Sequence, residues 1–280
     1  MKRMILTGTV CLMIGAYGLL AQQKGAAKGP APKSPAEAQA IQAVFTAAQS
    51  NNPDGVITAA EAAISKYKDT DFKDTILFLE AQAYQQKGDK DKQQIYAERA
   101  LTANPNNFQA ALMLAETTVQ TTREHDLDRD EKLDKADKYA NQAIASVQAA
   151  PKPNPQISDD QWEGFKKDMT AQGHDALGMS ALDRKNYDKA IAEFKMSVEG
   201  AAHPEPAFQV RLASAYQSAG KNDEAIAAAE KVMNDPQAPQ QIKSVAQAVR
   251  AQAVVAKNGG KPANQQAAPP QVQINNQPKQ

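Results

Sequence analysis

The sequence predicts an all-α fold, an α-solenoid of stacked antiparallel helix hairpins with disordered tails. Three observations carry this. Alanine fills 53 of 280 positions, and alanine is the best helix former and a poor strand former. The internal prolines fall in groups at 53, 105, 151–155, 204–206 and 236–239. Proline is excluded from helix interiors, so the groups mark joints roughly 30 to 50 residues apart, the period of repeat arrays. Between the joints, small and large apolar residues alternate at helical spacing, as stacked helix pairs require.

Composition excludes several classes. Lys plus Arg and Asp plus Glu are 32 each, so the basic excess of a nucleic-acid-binding surface is missing and no nucleic-acid partner is expected. The single cysteine, Cys11, permits neither an intramolecular disulfide nor a cysteine zinc site. His125, His174 and His203 are widely separated, and no metal or other cofactor is expected.

The elements follow in order. Met1-Lys2-Arg3 is basic, Met4 to Leu20 is 17 uncharged and mostly apolar residues, and Ala21 precedes polar Gln22-Gln23-Lys24. That order predicts a signal peptide over 1–21, cleaved after Ala21, and an exported chain of the periplasm or cell envelope. An uncleaved anchor is the alternative, because the apolar run is just long enough to span a bilayer. No second run of that kind exists, so no membrane span is expected in the mature chain. Cleavage would leave 30 basic against 32 acidic residues. Residues 22–33 read as a flexible linker of Gly, Ala, Lys and Pro.

A helical array is expected over 34–257. Its first hairpin, about 34–68, opens with the capping box Ser34-Pro35-Ala36-Glu37. Val44, Phe45 and Ala48, then Val56, Ile57, Ala60, Ile64 and Tyr67, form apolar stripes on either side of the turn Asn51-Asn52-Pro53-Asp54-Gly55. Further hairpins fall at about 72–105, 106–150, 158–203 and 205–236. The third carries an insertion near Thr121 to Lys132, which predicts a taller pair with both helices lengthened. The fourth opens with a helical stretch from Ser158 to Arg184, carrying Trp162, Phe165 and Met169 at helical spacing. This apolar triplet reads either as core or as a partner anchor. A cap helix at 240–257, with Ile242, Val245, Val249 and Val254, closes the array. The Gln-, Asn- and Pro-rich segment 258–280 lacks the apolar content to offset chain entropy.

Several hairpins superpose on one pattern. Ala81, Tyr84, Gly88, Ala97, Ala100 and Pro105 match Leu177, Gly178, Tyr187, Ala190, Phe194 and the prolines at 204 and 206. They match again Leu212, Ala213, Tyr216, Gly220, Ala225, Ala229, Val232 and Pro236; a weaker copy begins at Leu114-Ala115. This pattern resembles the tetratricopeptide repeat (TPR), although its tryptophan is absent, and Glu80 and Gln93 depart from it in the first copy. The resemblance implies a right-handed solenoid whose first helices line a concave, partner-binding groove. The residues it places there are Gln82, Gln85, Gln86, Gln109, Leu112, Glu116, Arg211, Ser214 and Gln217. That lining is neutral and amide-rich, suited to hydrogen bonds with an extended peptide. With its one Arg it does not match the family's clamp of Lys, Asn and Arg for a terminal carboxylate.

Candidate chemistry is sparse. Asp126-Leu127-Asp128-Arg129-Asp130 resembles the start of a calcium loop, but Glu131 stands where the turn needs glycine and Asp137 where it needs a bidentate glutamate. The segment therefore reads as an acidic helix start. His174 adjoins Asp175, yet no nucleophile, phosphate loop or nucleophile elbow accompanies it, and no catalytic residue is expected. The functional expectation is a non-enzymatic scaffold that binds a protein or peptide in the cell envelope. Its alternatives are a component of outer-membrane assembly or secretion machinery, and an enzyme with a helical-solenoid body.

Overall fold

The computed structural model describes residues 29–260; the expected signal peptide, most of the linker and residues 261–280 lie outside them. Among the described residues there are eleven helices and no strand: α1 (Pro35–Gln49), α2 (Pro53–Lys66), α3 (Lys73–Gln86), α4 (Lys90–Ala103), α5 (Phe108–Thr121), α6 (Arg129–Ala149), α7 (Asp159–Asp183), α8 (Tyr187–Gly200), α9 (Pro206–Ser218), α10 (Asn222–Asn234) and α11 (Gln240–Lys257). No described helix is long and apolar enough to cross a membrane. The chain forms two compact units. Among the described residues, one holds 29–114 together with Pro151–Ile157; the other holds Ala115–Ala150 and 158–260.

One chain reversal recurs in four hairpins. After α3 and α9, Gly88 and Gly220 both adopt φ +74°, the left-handed conformation that costs glycine little. Asn51 after α1 and Lys185 after α7 adopt it too, at φ 50° and 60°. The backbone hydrogen bonds repeat with it. Gly88 N–H donates to Gln85 and Asp89 N–H to Tyr84; Lys185 donates to Leu182 and Asn186 to Ala181; Gly220 and Lys221, and Asn51 and Asn52, do the same. In three of the four, the following helix is then capped by Asn52, Asp89 or Asn186, whose side chain accepts the N–H three residues on. At α1, Ser34 accepts from the Glu37 N–H. Glu37 reaches back one residue further than a capping box requires, to the Lys33 N–H at 2.6 Å.

The first unit packs α1 on α2, α2 on α3 and α3 on α4. Ile41, Val44 and Phe45 meet Val56, Ala60 and Ala63, and Phe72, Ile76 and Leu79 close the cluster. In the second unit, Ala115, Ala140, Ala176 and Leu177 join α5, α6 and α7. Phe194, Ile191 and Ala190 of α8 sit between Ala181 of α7 and Leu212 and Ala215 of α9. Val210, Ala213, Ala229, Val232, Ala246 and Val249 join the last three helices.

The insertion lengthens one helix, not two. α6 has 21 residues, but α5 stops after 14. The intervening residues close their own turn: the Asp126 carboxylate accepts the Arg123 N–H at 3.1 Å, and the Asp126 N–H donates to the Arg123 carbonyl. Such local side-chain bonds compete with helix continuation.

α7 runs unbroken for 25 residues from a capping box of Ser158 and Gln161. Two of its glycines are sites of close approach. A Cβ at Gly173 would lie 2.5 Å from Cγ1 of Ile144 on α6, and one at Gly178 would lie 2.6 Å from Cδ1 of Phe194 on α8; a Cβ at Gly164 would meet nothing nearer than 3.6 Å. Trp162 is 7% exposed and stacks on Phe165 with ring centroids 5.2 Å apart; Met169 is also 7% exposed.

Three outcomes follow. Gly178→Ala drives a methyl into the fully buried Phe194 ring and should lower stability by about 1–3 kcal/mol. Gly164→Ala, with open space and better helix propensity, should raise it by roughly 0.5–1 kcal/mol. Ala213→Leu, at a fully buried position between α9 and its neighbours, should behave like Gly178→Ala. Chemical denaturation followed by circular dichroism separates them, and equal midpoints for the two glycine variants would contradict the packing.

Trp162, the sole tryptophan, should emit at short wavelength in the free protein. Trp162→Ala should cost about 3–5 kcal/mol, the range for emptying an aromatic site. Long-wavelength, fully quenchable emission would show that the ring is not packed.

Candidate functional site

The residues expected to line a groove divide between the two units. Gln82, Gln85 and Gln86 of α3 belong to the first, as do Gln109 and Leu112 of α5. Gln85 and Gln86 are exposed, Gln82 and Gln109 half-buried, and Leu112 is buried at 5% exposure. Glu116, Arg211, Ser214 and Gln217 belong to the second unit. Glu116 and Gln217 are half-buried, but Arg211 and Ser214 are buried. The Ser214 hydroxyl donates to the Val210 carbonyl at 3.0 Å within its own helix, and so serves α9 rather than a partner.

Arg211 is where the second unit departs from a neutral, amide-rich lining. Its guanidinium donates to Oδ2 of Asp175 on α7, 36 residues earlier, in an ion pair whose side chains are 8% and 2% exposed. The other carboxylate oxygen of Asp175, Oδ1, is buried without a hydrogen-bond partner. Burial is the largest influence on the Asp175 carboxyl and raises it, against the pull of Arg211. Glu116 of α5 stands in the same field. Its carboxyl is pushed up to about 7, first by burial and then by Asp175, with Arg211 opposing and Glu205 adding to the rise. Glu205 stands exposed at the N-cap position of α9 without a side-chain capping bond, and its carboxyl is also raised, by desolvation and then by Asp175.

Thus α5, α7 and α9 bring three carboxylates around one guanidinium. The repeat resemblance counted Glu116 and Arg211 among the groove residues without pairing them, and it did not include Asp175 or Glu205. Asp175 precedes the Ala176-Leu177-Gly178 signature, on the buried side of a helix. An acidic residue at such a position is the signal that could have exposed it, since unpaired charge is rarely buried.

The remaining candidates serve the fold. His174 Nδ1 lies 2.8 Å from Glu193 Oε2 and ties α7 to α8, while His203 Nδ1 lies 2.8 Å from Asp168 Oδ2. The Lys132 ammonium sits 2.9 Å from both Asp126 and Asp128, supplying from the chain itself the positive charge a calcium loop would recruit. Trp162 stacks on Phe165 within α7, and Trp162 and Met169 are buried.

Comparison with known proteins follows the same segments. The tetratricopeptide-repeat family model matches residues 75–107, on α3 and α4, and 207–234, on α9 and α10. Both segments are tetratricopeptide repeats. A similar solved structure is that of a thermophilic TPR protein of Thermus thermophilus, 20% identical, covering 79% of this chain and 99% of that one with a TM-score of 0.46. No curated protein matches the chain.

In the first unit, a further carboxylate is buried in the TPR pair itself. Glu80 is 1% exposed, and its Oε1 has no hydrogen-bond partner. Burial pushes its carboxyl up to about 7, against a hydrogen bond from Tyr96, with Glu61 adding to the rise. Tyr96, stacked on Tyr84 with centroids 5.1 Å apart, is itself pushed up to about 12, chiefly by burial.

The sign of the linkage is fixed by that rise. With a folded value near 7 against an ordinary 4.5, the protonated form is favoured in the folded chain. The stabilisation is complete below about pH 4.5 and is lost as pH climbs through 7, a change on the order of 3 kcal/mol. Glu80→Gln removes this dependence while keeping the acceptor for Tyr96. The variant should match the wild type near pH 4.5 and exceed it by roughly 3 kcal/mol at pH 8. Urea unfolding at both pH values checks this; the same difference at both would show that burial does not raise the Glu80 carboxyl.

Proposed function

We propose that this TPR protein is a non-enzymatic interaction scaffold of the cell envelope, binding an extended segment of a partner protein on the face formed by α5, α7 and α9. One observation carries the reading. Burying charge is costly unless it is fully paired, yet the second unit keeps a buried ion pair with an unsatisfied carboxylate oxygen, and places Glu116 half-exposed beside it. Apolar residues of similar volume would hold α7 against α9 at least as well. Charge retained at this cost on consecutive first helices suits recognition, and stacked helical repeats present such faces to partners. The basic, apolar, small-residue order of residues 1–21 supports export.

Affinity capture from a cell-envelope extract of the source cells tests both parts. The full chain should retain a discrete set of proteins, and Glu116→Lys with Gln217→Lys should retain at least ten-fold less of them while melting like the wild type. Unchanged capture by the variant would move the binding face elsewhere. Fractionation of cells expressing the chain with and without residues 2–21 should place only the former outside the cytoplasm.

A further inference from the structure

Around the buried Asp175–Arg211 pair of the second unit, carboxyl groups outnumber the guanidinium. Asp175 on α7, Glu116 on α5 and Glu205 at the start of α9 share one guanidinium, that of Arg211. The Asp168 charge reaches Glu205 as well, and Asp168 lies seven residues before Asp175, on the same side of α7. The imbalance has a defined centre. Asp175 is the group whose charge is felt by both Glu116 and Glu205. Its side chain is 2% exposed, one oxygen is held by Arg211, and the other has no donor. A buried carboxylate oxygen without a donor leaves its charge poorly compensated, and a cation held by Glu116 above it would offset that charge. Glu116 is half-buried, so part of the cluster is open to solvent.

We infer that the α5–α7–α9 face receives a basic side chain, a guanidinium or ammonium of an extended partner segment, which Glu116 engages directly and which complements the Asp175–Arg211 pair beneath. The assignment rests on the reading of this face as a binding surface and adds the chemistry of what it binds. Charge complementarity selects the occupant. Carboxyls outnumber the single guanidinium, which disfavours an acidic segment and leaves a cation as the partner that favours their ionised forms. The site is thus opposite in sign to a clamp for a terminal carboxylate. A guanidinium suits it best, since five donors in a planar fork can serve two carboxylates at once.

The test uses the full chain and a phage-displayed library of random dodecapeptides. Selected peptides are synthesised with fluorescein and titrated by fluorescence anisotropy, each beside a copy in which arginine is replaced by neutral, isosteric citrulline and lysine by norleucine. The expected result is enrichment of one basic position. Neutralising that position should weaken binding at least ten-fold. Glu116→Gln should weaken the basic peptide by a similar factor and leave the neutral copy unchanged, so that the two losses are not additive. A merely structural role for Glu116 would weaken both copies alike. Glu205→Gln, at an exposed position, should produce the same non-additivity at smaller size and serves if Glu116→Gln melts early. Peptides without a basic residue, or basic peptides indifferent to both variants, would overturn the assignment and leave the interaction face standing. Failure to select any peptide would overturn the interaction face and the assignment with it.

Discussion

The second unit depends on how closely its helices approach, and that distance is set by residues almost without side chains. Gly173 faces Ile144 and Gly178 faces Phe194, in each case with less room than a methyl group needs. Ala115, Ala140, Ala190, Ala213, Ala225 and Ala229 are fully buried. Large residues complement them, Phe194 above all, filling the space that the small residues leave. Interiors pack near crystal density, so substituting either side forces the helices apart or opens a void. An alanine-rich composition with few aromatics is therefore a consequence of the packing, since each close pair spends one small residue against one large one.

Turns impose the second regularity. Four hairpins reverse through one residue with positive φ and the same pair of backbone hydrogen bonds. Glycine takes that position twice. Asn51 and Lys185 take it otherwise, Lys185 at a conformational cost of about 1 kcal/mol or more relative to glycine. Its ammonium lies 2.9 Å from Glu124, an exposed pair that offsets little of that cost. The recurrence shows that hydrogen bonding and packing on both sides fix the turn, with the residue at its centre following.

The buried charges are the exception to this economy. Glu80 in the first unit and Asp175 in the second each keep an oxygen without a donor. Their settings differ. Glu80 has tyrosine neighbours and sits within a helix pair, where a protonated carboxyl is accommodated. Asp175 is ionically engaged by Arg211 and has further carboxylates beside it, so protonation of one group does not settle the cluster. That difference separates a buried acid that tunes stability with pH from an acidic centre poised for a cation.

Much of this was legible in the sequence. Alanine content, proline spacing and the repeating small and large positions determined an all-helical chain of paired helices, because each reports a local constraint: helix propensity, a missing N–H, or a contact made at a fixed helical period. Gly88 and Gly220 announced their turns in the same way. The tertiary structure alone decided the rest. Lys185 carries no mark of a left-handed turn, and the turn before α6 won over a longer α5 through a carboxylate that bonds three residues back. Arg211 was visible as a lone cation and Asp175 only as the neighbour of His174. Their pairing across 36 residues, and the carboxylates gathered around it, exist only once α5, α7 and α9 are packed together. Sequence periodicity says which side of a helix is buried; which charges meet there depends on the rotation and offset of neighbouring helices, which are set by packing and by no single segment.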